Sequence, residues 1–193
     1  MRELDAFLKG TEKRAFRMAQ LATHNDADAM DIVQEAMIKL VTHYSEKTVE
    51  EWRPLFFKIL ENRILDWHRK QSVMKKIFFW RKDTADEANQ NSISSEVEDR
   101  QFDPQSQLIS EQIGKHLLAC IEALPLKQQQ CFLLRSWEGL SIKETSKIMG
   151  INENSVKTHY SRAMQKLKQH HEKLETPCGA KNCKTEKRQH HED

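Results

Sequence analysis

SIKETSKIMGINENSVKTHYSRAMQKLKQ, residues 141–169, spells two helices joined at a glycine. Ser141 followed by Glu144 has the spacing of a capping box, a hydroxyl and a carboxylate that satisfy two free backbone N–H groups at a helix start. Ser146 is small enough for a second helix to cross closely. Four residues later Gly150 tolerates the positive φ of a tight turn. Asn152 or Asn154 can cap the helix that follows. Within that helix Val156, Tyr160, Ala163 and Leu167 recur at steps of four, three and four and face inward. Asn154, Lys157, Thr158, Ser161, Arg162 and Gln165 are left outside. This is the pattern of a helix-turn-helix whose second helix enters a DNA major groove. The outward side chains are of types that bind phosphates and base edges. An ordinary helical hairpin has no need of the small residue, the glycine and the caps at these spacings together.

Charge is distributed accordingly. Between Ser141 and Lys173 there are seven Lys and Arg against three Glu, whereas the whole chain carries 31 basic and 29 acidic residues for a net charge of +2. A basic surface is therefore local, which suits phosphate contact at one place. Few Gly and Pro, with many Leu, Lys, Glu and Gln, favour a mostly helical protein, because straight side chains lose little freedom in a helix. No apolar run approaches the roughly 20 residues that span a bilayer. The N-terminal MRELDAFLKG lacks a signal-peptide core. The expectation is a soluble, cytoplasmic protein without stable membrane insertion.

Outward from the helix-turn-helix, residues 107–170 are helical throughout. Ile113, Leu117, Cys120, Ile121 and Leu124 mark one apolar stripe that stops at Pro125. A further helix through QQQCFLLRSW ends near Gly139. Cys120 and Cys131 lie in these patterns as small buried hydrophobes, and structural disulfides are not expected in a cytosolic setting. Residues 171–193 form a polar tail. Its Cys178 and Cys183, in C-x4-C spacing near several His, are candidates for a metal or redox site. That spacing is wide for zinc and nothing nearby suggests a rigid supporting shell, so a mobile basic tail is the simpler reading.

Residues 73–106 open with the basic, aromatic VMKKIFFWRK, expected to pack on a neighbouring domain or extend the preceding helix. The rest, DTADEANQNSISSEVEDRQFDPQ, buries too little apolar area to offset chain entropy and reads as a flexible linker. Residues 1–72 form a first helical block. From Asp28 a helix carries Ile32, Val33, Ala36, Met37, Leu40 and Val41 as its buried stripe, with Asp31, Gln34, Glu35 and Lys39 outside; Asp26 or Asp28 would cap it. A second helix is expected to begin at Pro54, which suits a first turn. Phe57, Leu60, Ile64 and Trp67 share its apolar face, and Asn62, Asp66 and Arg69 a polar one. The fold class that follows is all-α, with two small, separately packed helical domains joined by a flexible linker. There is no phosphate loop, HExxH or GxSxG, so an enzyme is not expected.

The stretch LPLKQQQCFLLRSWEGLSIKETSKIMGINENSVKTHYSRAMQKLK, residues 124–168, closely resembles region 4 of the sigma-70 family. DADAMDIVQEAMIKLV resembles the clamp-binding helix of its region 2, and FFKILENRILDWHRK its promoter-melting helix. With no third domain between them, the chain is similar to the compact extracytoplasmic-function group. The resemblance implies a protein that binds core RNA polymerase and promoter DNA without a cofactor, and it admits an anti-sigma factor as a further partner. It implies that Asp31, Gln34 and Glu35 dock on the clamp helices of the largest polymerase subunit. Asn62 matches the residue that holds a flipped base of the minus-ten element, with Arg63, Asp66 and Arg69 on or near the same DNA-facing surface. SEKTVEEWRP would supply the loop of the base pocket. Unstacking a base costs a few kcal/mol, which stacking on Trp52 or Trp67 would offset by roughly 1–3 kcal/mol.

In region 4, Lys157, Thr158, Ser161 and Arg162 match positions that meet the minus-thirty-five element, and Asn154 and Ser155 match positions nearer the phosphates. The chain departs from the family pattern at Thr145 and Ser146, where an Ile-Ala pair is usual, so the first helix of the motif is expected to be less stable. Ser161 replaces an aromatic residue of some relatives, which leaves the DNA sequence read here open. A closed packing of the two domains would be expected to hide the clamp-binding face and the recognition helix. Two rival functions remain at this level: a conventional duplex-binding regulator with a sensory N-terminal domain, and a metal- or redox-sensing adaptor acting through the tail.

Overall fold

Asn25 stands between the first two helices with extended backbone (φ −147°, ψ 124°), and its side chain accepts from the Asp28 amide at 3.0 Å. This cap, rather than either aspartate, starts α2 (Asp26–Tyr44). Asp26 and Asp28 instead lie in the first turn, where their charge suits the positive end of the helix dipole. The preceding α1 spans Arg2–Thr23 and buries Leu4, Ala15, Met18, Ala19, Leu21 and Ala22. A computed structural model of the chain describes residues 2–81, 114 and 116–175, with side chains described to residue 74 in the first block and 169 in the second. Most of the expected linker, Ile113 and the tail with Cys178 and Cys183 lie outside the described residues.

α3 spans Val49–Arg81, so it begins five residues before Pro54 and continues through VMKKIFFWR. The Glu51 carboxylate accepts from the Thr48 amide at 3.2 Å and satisfies a donor at the start of the helix. The Trp52 ring is buried, and its Nε1 donates to the Tyr44 carbonyl at 2.9 Å. Burying an indole with its N–H satisfied outweighs the single ladder bond that Pro54 cannot make. Phe57, Leu60 and Ile64 are buried and Trp67 is half-buried, in keeping with the stripe, and Phe56 is buried beside them. On α2 the stripe holds for Ile32, Val33, Ala36 and Leu40, but Val41 is 42% exposed. It lies one residue past Leu40, about 100° around the helix and off the face that meets α1 and α3.

In the second block α4 (116–122) buries Cys120 and Ile121, while Leu117 is 48% exposed and Leu118 packs on the core in its place. Pro125 ends this run, and its carbonyl accepts from Gln128 and Gln129 to start α5 (Leu126–Phe132). The chain then widens into a π turn, Leu133–Trp137, that buries Leu133 and Leu134. Gly139 turns it with φ +64°. α6 (Ile142–Met149) and α7 (Glu153–Glu175) complete the motif.

The described residues are helical in both blocks, as expected, and one apolar cluster runs through both, from Leu4 and Phe56 to Leu134, Ile148 and Leu167. The two blocks therefore touch, which the linker composition gave no reason to expect. Gln129 of α5 donates to the carbonyls of Leu21 (3.0 Å) and Ile121 (3.1 Å). Glu138 lies buried between Arg14 of α1 and Arg53 of α3, each at 3.5 Å from a carboxylate oxygen.

Candidate nucleic-acid interface

The second helix of the motif is positioned by three local devices. Ser141 accepts from the Glu144 amide at 3.1 Å while Glu144 accepts from the Ser141 amide at 2.8 Å, completing the capping box. These hydrogen bonds hold the Glu144 carboxyl below the usual range. Gly150 closes α6 in the left-handed region, φ +65°. Asn152, rather than Asn154, caps α7 by accepting from the Ser155 amide at 2.7 Å.

Thr145 is fully buried and its hydroxyl donates to the Ser141 carbonyl at 2.9 Å; the Ser146 hydroxyl donates to Lys143 at 3.2 Å. The unusual Thr-Ser pair thus leaves neither hydroxyl without a partner, which removes the main cost of burying it.

α7 presents the expected two faces. Val156, Ala163 and Leu167 are buried and Tyr160 is half-buried, its hydroxyl 3.0 Å from Ser136 Oγ and its ring 5.7 Å from the Arg135 guanidinium. These contacts fix the rotation of α7 against the π turn. Asn154, Lys157, Thr158, Ser161, Arg162 and Gln165 are exposed, and Ser155 is half-buried at the cap. Among the described residues neither Lys157 nor Arg162 sits in an ion pair. The Thr158 hydroxyl donates to the Asn154 carbonyl at 2.9 Å, so towards a ligand it acts as an acceptor and a methyl surface. Burial, then Lys127 and Arg162, push the His159 imidazole below its ordinary pKa, which favours the neutral ring.

In the first block Asn62, Asp66 and Arg69 are exposed on one side of α3. Arg63 is half-buried and pairs with Glu35 of α2 at 3.3 Å; Arg69 pairs with Asp66 at 3.1 Å. One ion pair therefore links a candidate DNA-facing residue to a candidate polymerase-facing one. Only residues 45–48 of SEKTVEEWRP form a loop, because α3 already begins at Val49. Trp52 is buried under that loop and cannot stack on a base; Trp67 is half-buried, edge-on to His68.

Asp31, Gln34 and Glu35 lie exposed on the outer face of α2. The sequence reading missed their neighbours. Met30, Ile38 and Val41 are 41%, 62% and 42% exposed, and with Gln34 they follow one another at steps of four, four and three along the same face. The signal was available in Met30 and Ile38, large apolar residues that fall off the buried stripe. Acidic groups around exposed apolar side chains make a surface suited to a protein partner. The blocks are packed together, yet these residues and the outer face of α7 stay open. The expectation that closure would hide them is corrected, because the contact between blocks uses other faces: α1 and α3 against α5 and α6.

Among the described residues no group of three His, Cys, Asp or Glu is placed to hold a metal, and no helix is long and apolar enough to cross a membrane.

Comparison with known proteins agrees with this arrangement. The family profile described as Sigma-70 region 2 matches residues 8–73, and that described as Sigma-70, region 4 matches residues 115–167. RNA polymerase sigma factor SigV of Bacillus subtilis is 28% identical over 157 residues, covering 79% of this chain and 81% of SigV. ECF RNA polymerase sigma factor SigX of the same organism is 28% identical over 155 residues, covering 75% and 71%. In fold, the chain is similar to the sigma factor RpoE from Bartonella quintana, solved in complex with the anti-sigma factor NepR, with a TM-score of 0.63 over 89% of this chain and 95% of that one at 19% identity. With both of its helical blocks matched, in order, by the two regions, the chain belongs to the sigma-70 family of RNA polymerase sigma factors and to its extracytoplasmic-function group, whose members are non-enzymatic factors of transcription initiation.

Proposed function

We propose that this chain directs core RNA polymerase to a specialised set of promoters by reading two elements with two separate helices. The observation that carries the reading is the outer face of α7: exposed Lys157 and Arg162 without ion-pair partners among the described residues, on a helix held by two caps and a left-handed glycine. Lys157, Thr158, Ser161 and Arg162 meet base edges and phosphates of the minus-thirty-five element, and Asn154 and Ser155 approach the backbone near the cap. Asn62, with Arg63, Asp66 and Arg69 around it, contacts the melted strand of the minus-ten element. Asp31, Gln34 and Glu35, with Met30, Ile38 and Val41, dock on the clamp helices of the largest polymerase subunit. The same exposed surfaces suit capture by an anti-sigma factor, the class of partner in complex with RpoE.

No cofactor enters this mechanism; opening is driven by differential binding to the melted strand. Run-off transcription from a promoter library, with core polymerase alone and with the chain added, tests it. Specific transcripts should appear with the chain and fall at least tenfold with Arg162→Ala or Asn62→Ala. Tight binding to duplex DNA with no stimulation of the polymerase would point instead to a conventional regulator.

A further inference from the structure

We infer that Lys127 of α5 and His159 of α7 join Arg162 in one phosphate-binding cluster, which carries the outer face of α7 onto a second helix and makes its grip on the DNA backbone sensitive to pH. The inference rests on the functional reading above and adds a contact and its regulation. The assignment of Lys157, Thr158, Ser161 and Arg162 to the minus-thirty-five element leaves both Lys127 and His159 unused.

Packing within the second block brings the three together. α5 lies directly on α7, and buried Cys131 fixes the contact by donating from its thiol to the Val156 carbonyl at 3.3 Å. Lys127 stands one turn before Cys131 on α5, and His159 three residues after Val156 on α7, so each neighbours that contact along its own helix. Arg162 follows His159 by three residues. Lys127 and Arg162 are exposed, and neither sits in an ion pair among the described residues. His159 is half-buried: its Nδ1 is closed off from solvent without a hydrogen-bond partner, which leaves Nε2 to meet a ligand.

Burial is the largest influence on the His159 ring and disfavours its charged form; Lys127 and then Arg162 add to it by repelling a proton. On α5, the π turn, α6 and α7, no described carboxylate acts on the ring to offset them. Three such groups repel one another while the cluster is empty, and an anion between them relieves that repulsion. Lys127 supplies a compact charge, Arg162 a planar fork of donors, and neutral His159 an N–H from Nε2. Continuity with the outer face of α7 makes the anion a phosphodiester of the DNA backbone. Its charge favours the imidazolium, so the bound chain holds a His159 proton, taken from solvent, that the free chain lacks. Affinity therefore rises as pH falls.

The test measures binding of the full chain to a fluorescent duplex carrying the minus-thirty-five element, at pH 5.5 and pH 7.5 and over a range of salt. Wild type should bind about fivefold more tightly at the lower pH. His159→Gln keeps an N–H donor but does not titrate, so its affinity should change less than about twofold between the same two values. Lys127→Ala, at an exposed position, should weaken binding and lower the slope of log affinity against log salt by about 1. A wild type equally tight at both pH values, a pH dependence that persists in His159→Gln, or a salt slope unchanged in Lys127→Ala would overturn the cluster and leave the functional reading in place. Wild-type binding that Arg162→Ala does not weaken would overturn that reading, and the cluster with it.

Discussion

The outer face of α7 and the QQQ run of α5 are equally polar in sequence and have opposite fates. Lys157, Ser161 and Arg162 stay in solvent, while Gln129 and Gln130 are buried, Gln129 on the Leu21 carbonyl of the first block. The difference lies in what each helix packs on. α7 buries one apolar stripe against its own neighbours and needs nothing more. α5 buries Cys131 and runs into a π turn that buries Leu133 and Leu134, and its Gln129 meets a second partner in the first block. Local polarity therefore predicts exposure only where no distant element arrives.

The comparison can be broken first at its largest effect. Leu134→Ala, in the shared apolar cluster, should lower unfolding stability by about 2–5 kcal/mol in urea titration, since it leaves a cavity beneath the π turn. Arg162→Ala should move the same midpoint hardly at all, yet weaken binding to a minus-thirty-five duplex by about 1–3 kcal/mol. Equal losses of stability from both would mean that α7 is structural rather than a reading surface.

Next comes pH. Burial pushes the Glu61 carboxyl up from an ordinary 4.5 to about 7. Between those values the folded chain holds a proton that the unfolded chain has lost, so stability should fall as pH rises through this window and level off above it. The expected drop is on the order of 2 kcal/mol between pH 5 and pH 8. Glu61→Gln should flatten the profile. A wild-type profile already flat would show that Glu61 is solvated.

The smallest effect separates the motif's local devices from its packing. Ser141→Ala removes one half of the capping box and should cost about 1 kcal/mol of stability. It should also return the Glu144 carboxyl towards its ordinary pKa, a shift that carbon-detected titration would follow. A loss of duplex binding beyond that cost would mean that α6 sets the pose of α7 through its cap.

What could be read in advance was local. The capping box, the left-handed glycine and the α7 stripe follow from spacings of three, four and seven residues, over which backbone geometry is nearly the same in any protein. The departure at Pro54 is also local: the Thr48–Glu51 pair and a tryptophan seeking burial outweigh the proline signal. Val41 and Leu117 lie at the edges of stripes, and which side of an edge is buried depends on which neighbour arrives. Met30 and Ile38 were visible as off-stripe residues, although nothing nearby in sequence says what covers them.

By itself, then, the sequence determined the helical class, the two blocks, the motif and the outward face of its second helix, because each rests on contacts within a few turns. Only the tertiary structure decided that Glu138, Glu61 and Gln130 are buried and that the blocks meet. Burial of those groups depends on residues as far apart as Arg14 and Glu138, and no periodicity along the chain records such an encounter.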